Sequence, residues 1–211
     1  MNHQVVKSLP LDVKTQALNQ KGYSIIELSI ALAIISIILV TSLAGVQRVL
    51  RSNNVNNDVK NINLAVASLT SLSATQTTTT GITMANLIGL KVFEGFSVDA
   101  VGGTVKNAFG GQIVVAPNTG AVDGYPVGSG FILYSTNIAA DACPDYINSI
   151  ATLSPNISTA NGANPATKGA LLGTAVKTDG GPYTLATLSA ACAGSAAGNN
   201  KIAIAAFVGK T

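Results

Sequence analysis

Glu27 is the only charged residue between Lys21 and Arg48 in this chain of 211 residues. Around it, from Tyr23 to Val40, the sequence reads YSIIELSIALAIISIILV. A carboxylate inside an apolar membrane segment costs about 2.5–3.5 kcal/mol on insertion scales, and less near an end. Such a residue needs a partner, and a cation that becomes available only after processing of the chain would supply one. Other candidate chemistry is sparse. The single histidine, His3, precedes Gly22, so no histidine-based triad can form beyond that glycine. Asp58, Glu94, Asp99, Asp123, Asp141, Asp145 and Asp179 are scattered, with no motif that marks a catalytic pair. Asp141 and Asp145 stand four apart on an expected helix, which suits either a solvated face or a calcium ion. No GxxxxGK[ST] loop occurs. No catalytic residue, cofactor site or metal site is expected, and no enzyme. Cys143 and Cys192 lack CxxC spacing and a nearby histidine. They read as a disulfide in an exported protein, or as two free thiols in a cytosolic one. A bridge there would close a loop of about 50 residues and stabilise by about 4 kcal/mol on the chain-entropy model.

The elements that place these residues are long and simple at the start. From Tyr23 the apolar run continues through Val46, long enough at helical rise to cross the hydrocarbon core. Lys7, Lys14 and Lys21 stand against Asp12 before Gly22, a local charge of +2 that leaves only +1 of the net +3 for the rest. That asymmetry keeps the N-terminal side cytoplasmic. Past the run, Val55, Val59, Ile62, Val66 and Leu69 recur at 4, 3, 4, 3 spacing, and no proline occurs from Asp12 to Ala116. A helix over 23–74 is therefore expected, with an apolar protruding half at 23–47 and an amphipathic half that docks on a globular domain. Gly45 and the Asn-rich stretch Asn53, Asn54, Asn56 and Asn57 are its weak points. Two other readings of the run are a secretory signal peptide cut after Ser42-Leu43-Ala44 and a simple signal anchor. Its length and Glu27 oppose the first.

Gly22, the aromatic Tyr23, a short polar and aliphatic stretch and then Glu27 resemble the cleavage and anchor motif of type IV prepilins. The resemblance implies that residues 1–22 are a leader and that a prepilin peptidase cuts between Gly22 and Tyr23 and methylates the new amine. Glu27 would then be the fifth residue of the mature chain. In that family such a glutamate pairs with the N-terminal amine of a neighbouring subunit. The long leader fits the type IVb class, which includes major pilins of the toxin-coregulated and conjugative thin pilus kind. Asn107-Ala108-Phe109-Gly110-Gly111 is similar to a segment of type IVb pilins, and Cys143 with Cys192 resembles their disulfide-bounded region. The partners implied are a homo-oligomeric helical filament, the peptidase, and an inner-membrane assembly platform with its ATPase. The location implied is the bacterial inner membrane before assembly and then an extracellular pilus, serving adhesion, aggregation or conjugative DNA transfer.

The remainder, 75–211, reads as one globular α+β domain. Thr75–Gly81 should end the long helix. Gln112–Ala116, Phe131–Thr136 and Lys201–Val208 read as strands, and Pro117-Asn118-Thr119-Gly120 as a turn. Asp141–Leu153, capped by Asp141, and Thr184–Cys192 read as short helices. Ser154–Gly181 reads as an exposed loop. Short strands with hairpin-type turns predict an antiparallel sheet with the long helix on one face. No basic face suits a phosphate backbone, so no specific nucleic-acid partner is expected. Alternative functions are a pseudopilin of a type II secretion system, a secreted domain that never polymerises, and a hydrolase, which the missing histidine disfavours.

Overall fold

A computed structural model describes residues 24–99, 101–161, 169–194 and 201–209. The expected leader, residues 1–22 with Gly22 at its end, and Tyr23, the expected first residue of the mature chain, lie outside the described residues. The chain divides into two units, Met1–Gly45 and Val46–Thr211. Helix α1 is assigned over Ile25–Ala74.

In the unit from Val46 onward, α1 buries Val55, Asp58, Ile62, Ala65 and Leu69. The helical period is the expected one, but the centre of the stripe is turned by a fraction of a residue. Val59 and Val66 are only half-buried flanks, and the small Ala65 is fully buried in the core. One position of the buried stripe is thus a carboxylate.

Among the described residues seven strands form one sheet: β1 (Ser97–Asp99), β2 (Thr104–Lys106), β3 (Gln112–Pro117), β4 (Gly130–Ala139), β5 (Ile157–Asn161), β6 (Thr174–Lys177) and β7 (Lys201–Gly209). Their order is β1-β2-β3-β4-β7-β5-β6, and every neighbouring pair is antiparallel. Three short helices accompany them: α2 (Met84–Gly89), α3 (Cys143–Ile150) and α4 (Leu185–Ala191). The α+β class and the antiparallel sheet are as the sequence implies.

Period-two alternation sends the sheet's side chains to two separate cores. Ile113, Val115, Phe131, Leu133, Ile202, Ile204 and Ala206 face α1 and the short helices. Val114, Ile132, Tyr134, Ala205 and Phe207 face the other way, under Val122, Tyr125, Leu171 and Leu172. On that second face the Tyr134 hydroxyl accepts from the N–H groups of Gly169 and Ala170 at 2.8 and 3.0 Å and donates to the Ala170 carbonyl. Covered on both faces, β4 and β7 are buried nearly throughout, which is why they read in sequence as continuous apolar runs.

Two expectations are corrected. Ser154–Gly181 is not simply an exposed loop, because it contains β5 and β6 and its first residues are core. Ser154, Asn156, Ile157, Ser158 and Thr159 are all buried. Ser158 accepts from the Leu172 N–H at 2.7 Å and Thr159 donates to the Ala191 carbonyl at 3.1 Å, so polar side chains serve as core. Nor does Asp141 cap α3. Ala142 holds the N-cap position with no side-chain bond, while Asp141 forms an ion pair with Arg51 of α1.

Candidate assembly segment

The first part of α1 is apolar on every side. Each large apolar side chain from Ile25 to Leu43 is at least half exposed. By length and composition this helix can cross a membrane. Its few hydroxyls are turned inward to the backbone. Ser29 donates to the Ile26 carbonyl, Ser36 to Leu32, Thr41 to Ile37 and Ile38, and Ser42 to Ile38, at 2.7–3.1 Å. Hydroxyls satisfied within their own helix cost little in an apolar medium, where an unsatisfied one is expensive. Glu27 alone breaks the pattern. It lies in the first turn of α1 and is exposed. An acid there suits the positive end of the helix dipole, by about 0.3–1 kcal/mol at an exposed site. No cation pairs with it among the described residues.

The unit from Val46 holds α1 by a polar cluster built on the Asn107–Gly111 segment that the sequence singles out. Asn107 is its centre. Its Oδ1 accepts from the N–H groups of Phe109 and Gly111 at 3.1 and 2.7 Å. Its Nδ2 donates to the Thr136 carbonyl at 2.7 Å and to Ser135 Oγ at 3.1 Å. These bonds fold Asn107–Gly111 into a tight turn between β2 and β3. The turn points the Ala108 N–H at Asp58 Oδ1, 2.8 Å away. Behind it, Tyr146 of α3 donates to Ser135 Oγ at 2.8 Å. Burial, with the Asp58 charge nearby, pushes the Tyr146 phenol well above its ordinary range, against the Ser135 bond, which pulls it down. A signal for Asp58 is present in the sequence. It sits three residues after Val55 and four before Ile62, on the buried stripe, although residue type alone places it among the scattered acids.

Cys143 at the start of α3 and Cys192 at the end of α4 form a disulfide with a sequence separation of 49. The bridge ties α3 to α4 around the segment that carries β5 and β6. Replacing both cysteines by serine is expected to lower the unfolding free energy by about 2–4 kcal/mol. Denaturant titration of the full chain in detergent measures this, and an unchanged midpoint contradicts it. Asp145 of α3 is exposed, and Asp141 is engaged by Arg51. Among the described residues no three of His, Cys, Asp and Glu gather where they could hold a metal.

An amphipathic helix docked on a two-faced antiparallel sheet, preceded by an apolar helical segment and stapled by a disulfide between two short helices, defines a pilin-type α+β protein. Over residues 52–206 the chain matches the model of the family described as PilS N terminal, and it belongs to that family. Residues 18–43 match the prokaryotic N-terminal methylation motif. Among solved structures it is similar to the type IV b pilin from Salmonella typhi, with 21% identity, TM-score 0.50, and 74% of this chain and 99% of that chain covered. It is also similar to TcpA, a type IV pilin from Vibrio cholerae El Tor biotype, with 17% identity, TM-score 0.49, and 74% and 98% covered. No curated protein matches. The fold is that of a type IVb pilin.

Proposed function

We propose that this chain is the structural subunit of a type IVb pilus, made as a prepilin, cut between Gly22 and Tyr23, methylated on Tyr23 and polymerised through residues 23–47. It performs no reaction of its own. The observation that carries this reading is the exposed apolar helix from Ile25 to Leu43 with Glu27 as its single charge, lying within the matched methylation motif. Such a surface is stable only in lipid or among copies of itself. Before assembly the bilayer covers it, and after assembly its neighbours do. Removing the leader frees an amine beside the apolar run. In low dielectric that ammonium and the Glu27 carboxylate of a neighbouring subunit each offset the other's desolvation. The globular part, 75–211, faces outward and carries whatever the filament adheres to or transfers. A prepilin peptidase and an inner-membrane platform with its ATPase are the machinery this life cycle requires.

The test is the N-terminal residue of the protein recovered from cells, read together with electron microscopy of sheared surface material. Methylated Tyr23 and filaments containing the chain are the expected results. A mature chain that begins at Gly45 would identify an ordinary secreted protein and overturn the reading.

A further inference from the structure

The cluster beneath α1 contains a buried acid to which the proposed function gives no role. Asp58 is 1% exposed. Its Oδ1 accepts the Ala108 N–H, and its Oδ2 has no hydrogen-bond partner. Among the described residues no cation forms an ion pair with it. Arg51, two turns earlier on α1, is taken by Asp141. Lys60 of α1 and Lys106 at the end of β2 are exposed, and among the described residues neither forms an ion pair. From α3 the facing titratable group is Tyr146, whose hydroxyl is committed to Ser135. The carboxyl is therefore wedged between helix and turn with half of its acceptor capacity unmet, directly after the helix-weakening run Asn53, Asn54, Asn56 and Asn57.

We propose that Asp58 is a proton-dependent latch between α1 and the Asn107–Gly111 turn. Protonated, it joins the two as a neutral wedge. Ionised, it leaves an unpaired charge under the helix and loosens that contact. Burial pushes the carboxyl up to about 6, against the Ala108 N–H, which pulls it down. A carboxyl raised in the folded state contributes stability that is full below its unfolded value of 3.8 and is lost as pH rises through about 6. The latch holds in mildly acid surroundings and slackens at neutral pH. This inference does not depend on filament formation.

Denaturant titrations of the full chain in detergent micelles, wild type against Asp58→Asn, between pH 4 and 8 test it. The wild-type folding constant is expected to fall by up to about a hundred-fold across that range, roughly tenfold for each pH unit separating the unfolded and folded titration points. Asp58→Asn should lose that slope and exceed wild type above pH 6. Equal slopes in the two proteins overturn the proposal. Should the variant fail to fold, the wild type still decides. The Asp58 carboxyl carbon and the Ala108 amide proton, followed by NMR, should titrate together near pH 6. Titration near pH 4 overturns the latch.

Discussion

Glu27→Ala is expected to leave membrane insertion and cleavage after Gly22 intact while lowering assembled filament by about two to three orders of magnitude. The insertion arithmetic sets the first half of this result. Removing a charge from an apolar segment makes insertion cheaper by about 2.5–3.5 kcal/mol at most, so the precursor enters the bilayer at least as well as wild type. The second half follows from what the substitution leaves behind. On the proposed role, the neighbouring subunit brings a methylated ammonium to the apolar core of the filament, and without Glu27 that cation is buried alone. Breaking a buried pair by removing one partner costs about 3–5 kcal/mol, and each 1.4 kcal/mol is tenfold in an equilibrium. The loss recurs at every subunit contact. Glu27→Asp, one methylene shorter, should retain part of the assembly, and Glu27→Gln, which can hydrogen-bond but carries no charge, should retain less. The readout is the ratio of sheared surface material to mature chain in the membrane fraction. Normal filaments from Glu27→Ala would refute the pairing role while leaving the fold and the family untouched.

The sequence is most legible where one physical requirement dominates a whole segment. The apolar run, the stripe beyond it, and strands β3, β4 and β7 are each set by burial or by the absence of water, and each lies within a few residues of its expected place. The helix expected over Thr184–Cys192 likewise matches α4, whose start is held in the structure by a local capping box between Thr184 and Thr187. Legibility falls where the partner is distant. β5 contains Ser158 and Thr159, whose bonds reach Leu172 and Ala191, and nothing in the segment ISTAN announces those acceptors and donors. Asp141 has the residue type of a cap, yet a cation about ninety positions earlier claims it. β1 and β2 are three residues each, too short for alternation to register. Asp58 shows the converse. Its spacing is legible, but a carboxylate on a buried stripe reads as an error until the Ala108 N–H is seen beneath it.

The other large effect belongs to Gly111→Ala, which is expected to destabilise the globular part by about 3–5 kcal/mol, from steric overpacking with the loss of two or more buried hydrogen bonds. The backbone angle at Gly111 is one that any residue adopts, so the cause is space and not conformation. A Cβ placed there would stand 1.9 Å from the Thr136 carbonyl oxygen and 2.7 Å from the Asn137 Cβ. Neither atom is the end of a flexible side chain. The turn must therefore back away from β4. Asn107 cannot follow it and keep its bonds, since it accepts from Gly111 N–H at 2.7 Å and donates to that same Thr136 carbonyl at 2.7 Å. Displacing the turn also withdraws the Ala108 N–H from Asp58, so the loss spreads to the seat of α1. Gly110→Ala is the internal control. Gly110 has φ +75°, and the nearest atom to its Cβ would be 3.9 Å away. Its cost is the left-handed backbone penalty alone, about 1–2 kcal/mol. Denaturant midpoints of the two variants in detergent separate the causes. A Gly111→Ala chain no less stable than Gly110→Ala would mean that the turn is not clamped between α1 and β4. If the domain lies at the low end of the about 5–15 kcal/mol typical of a domain, the predicted loss leaves a substantial fraction of the chain unfolded.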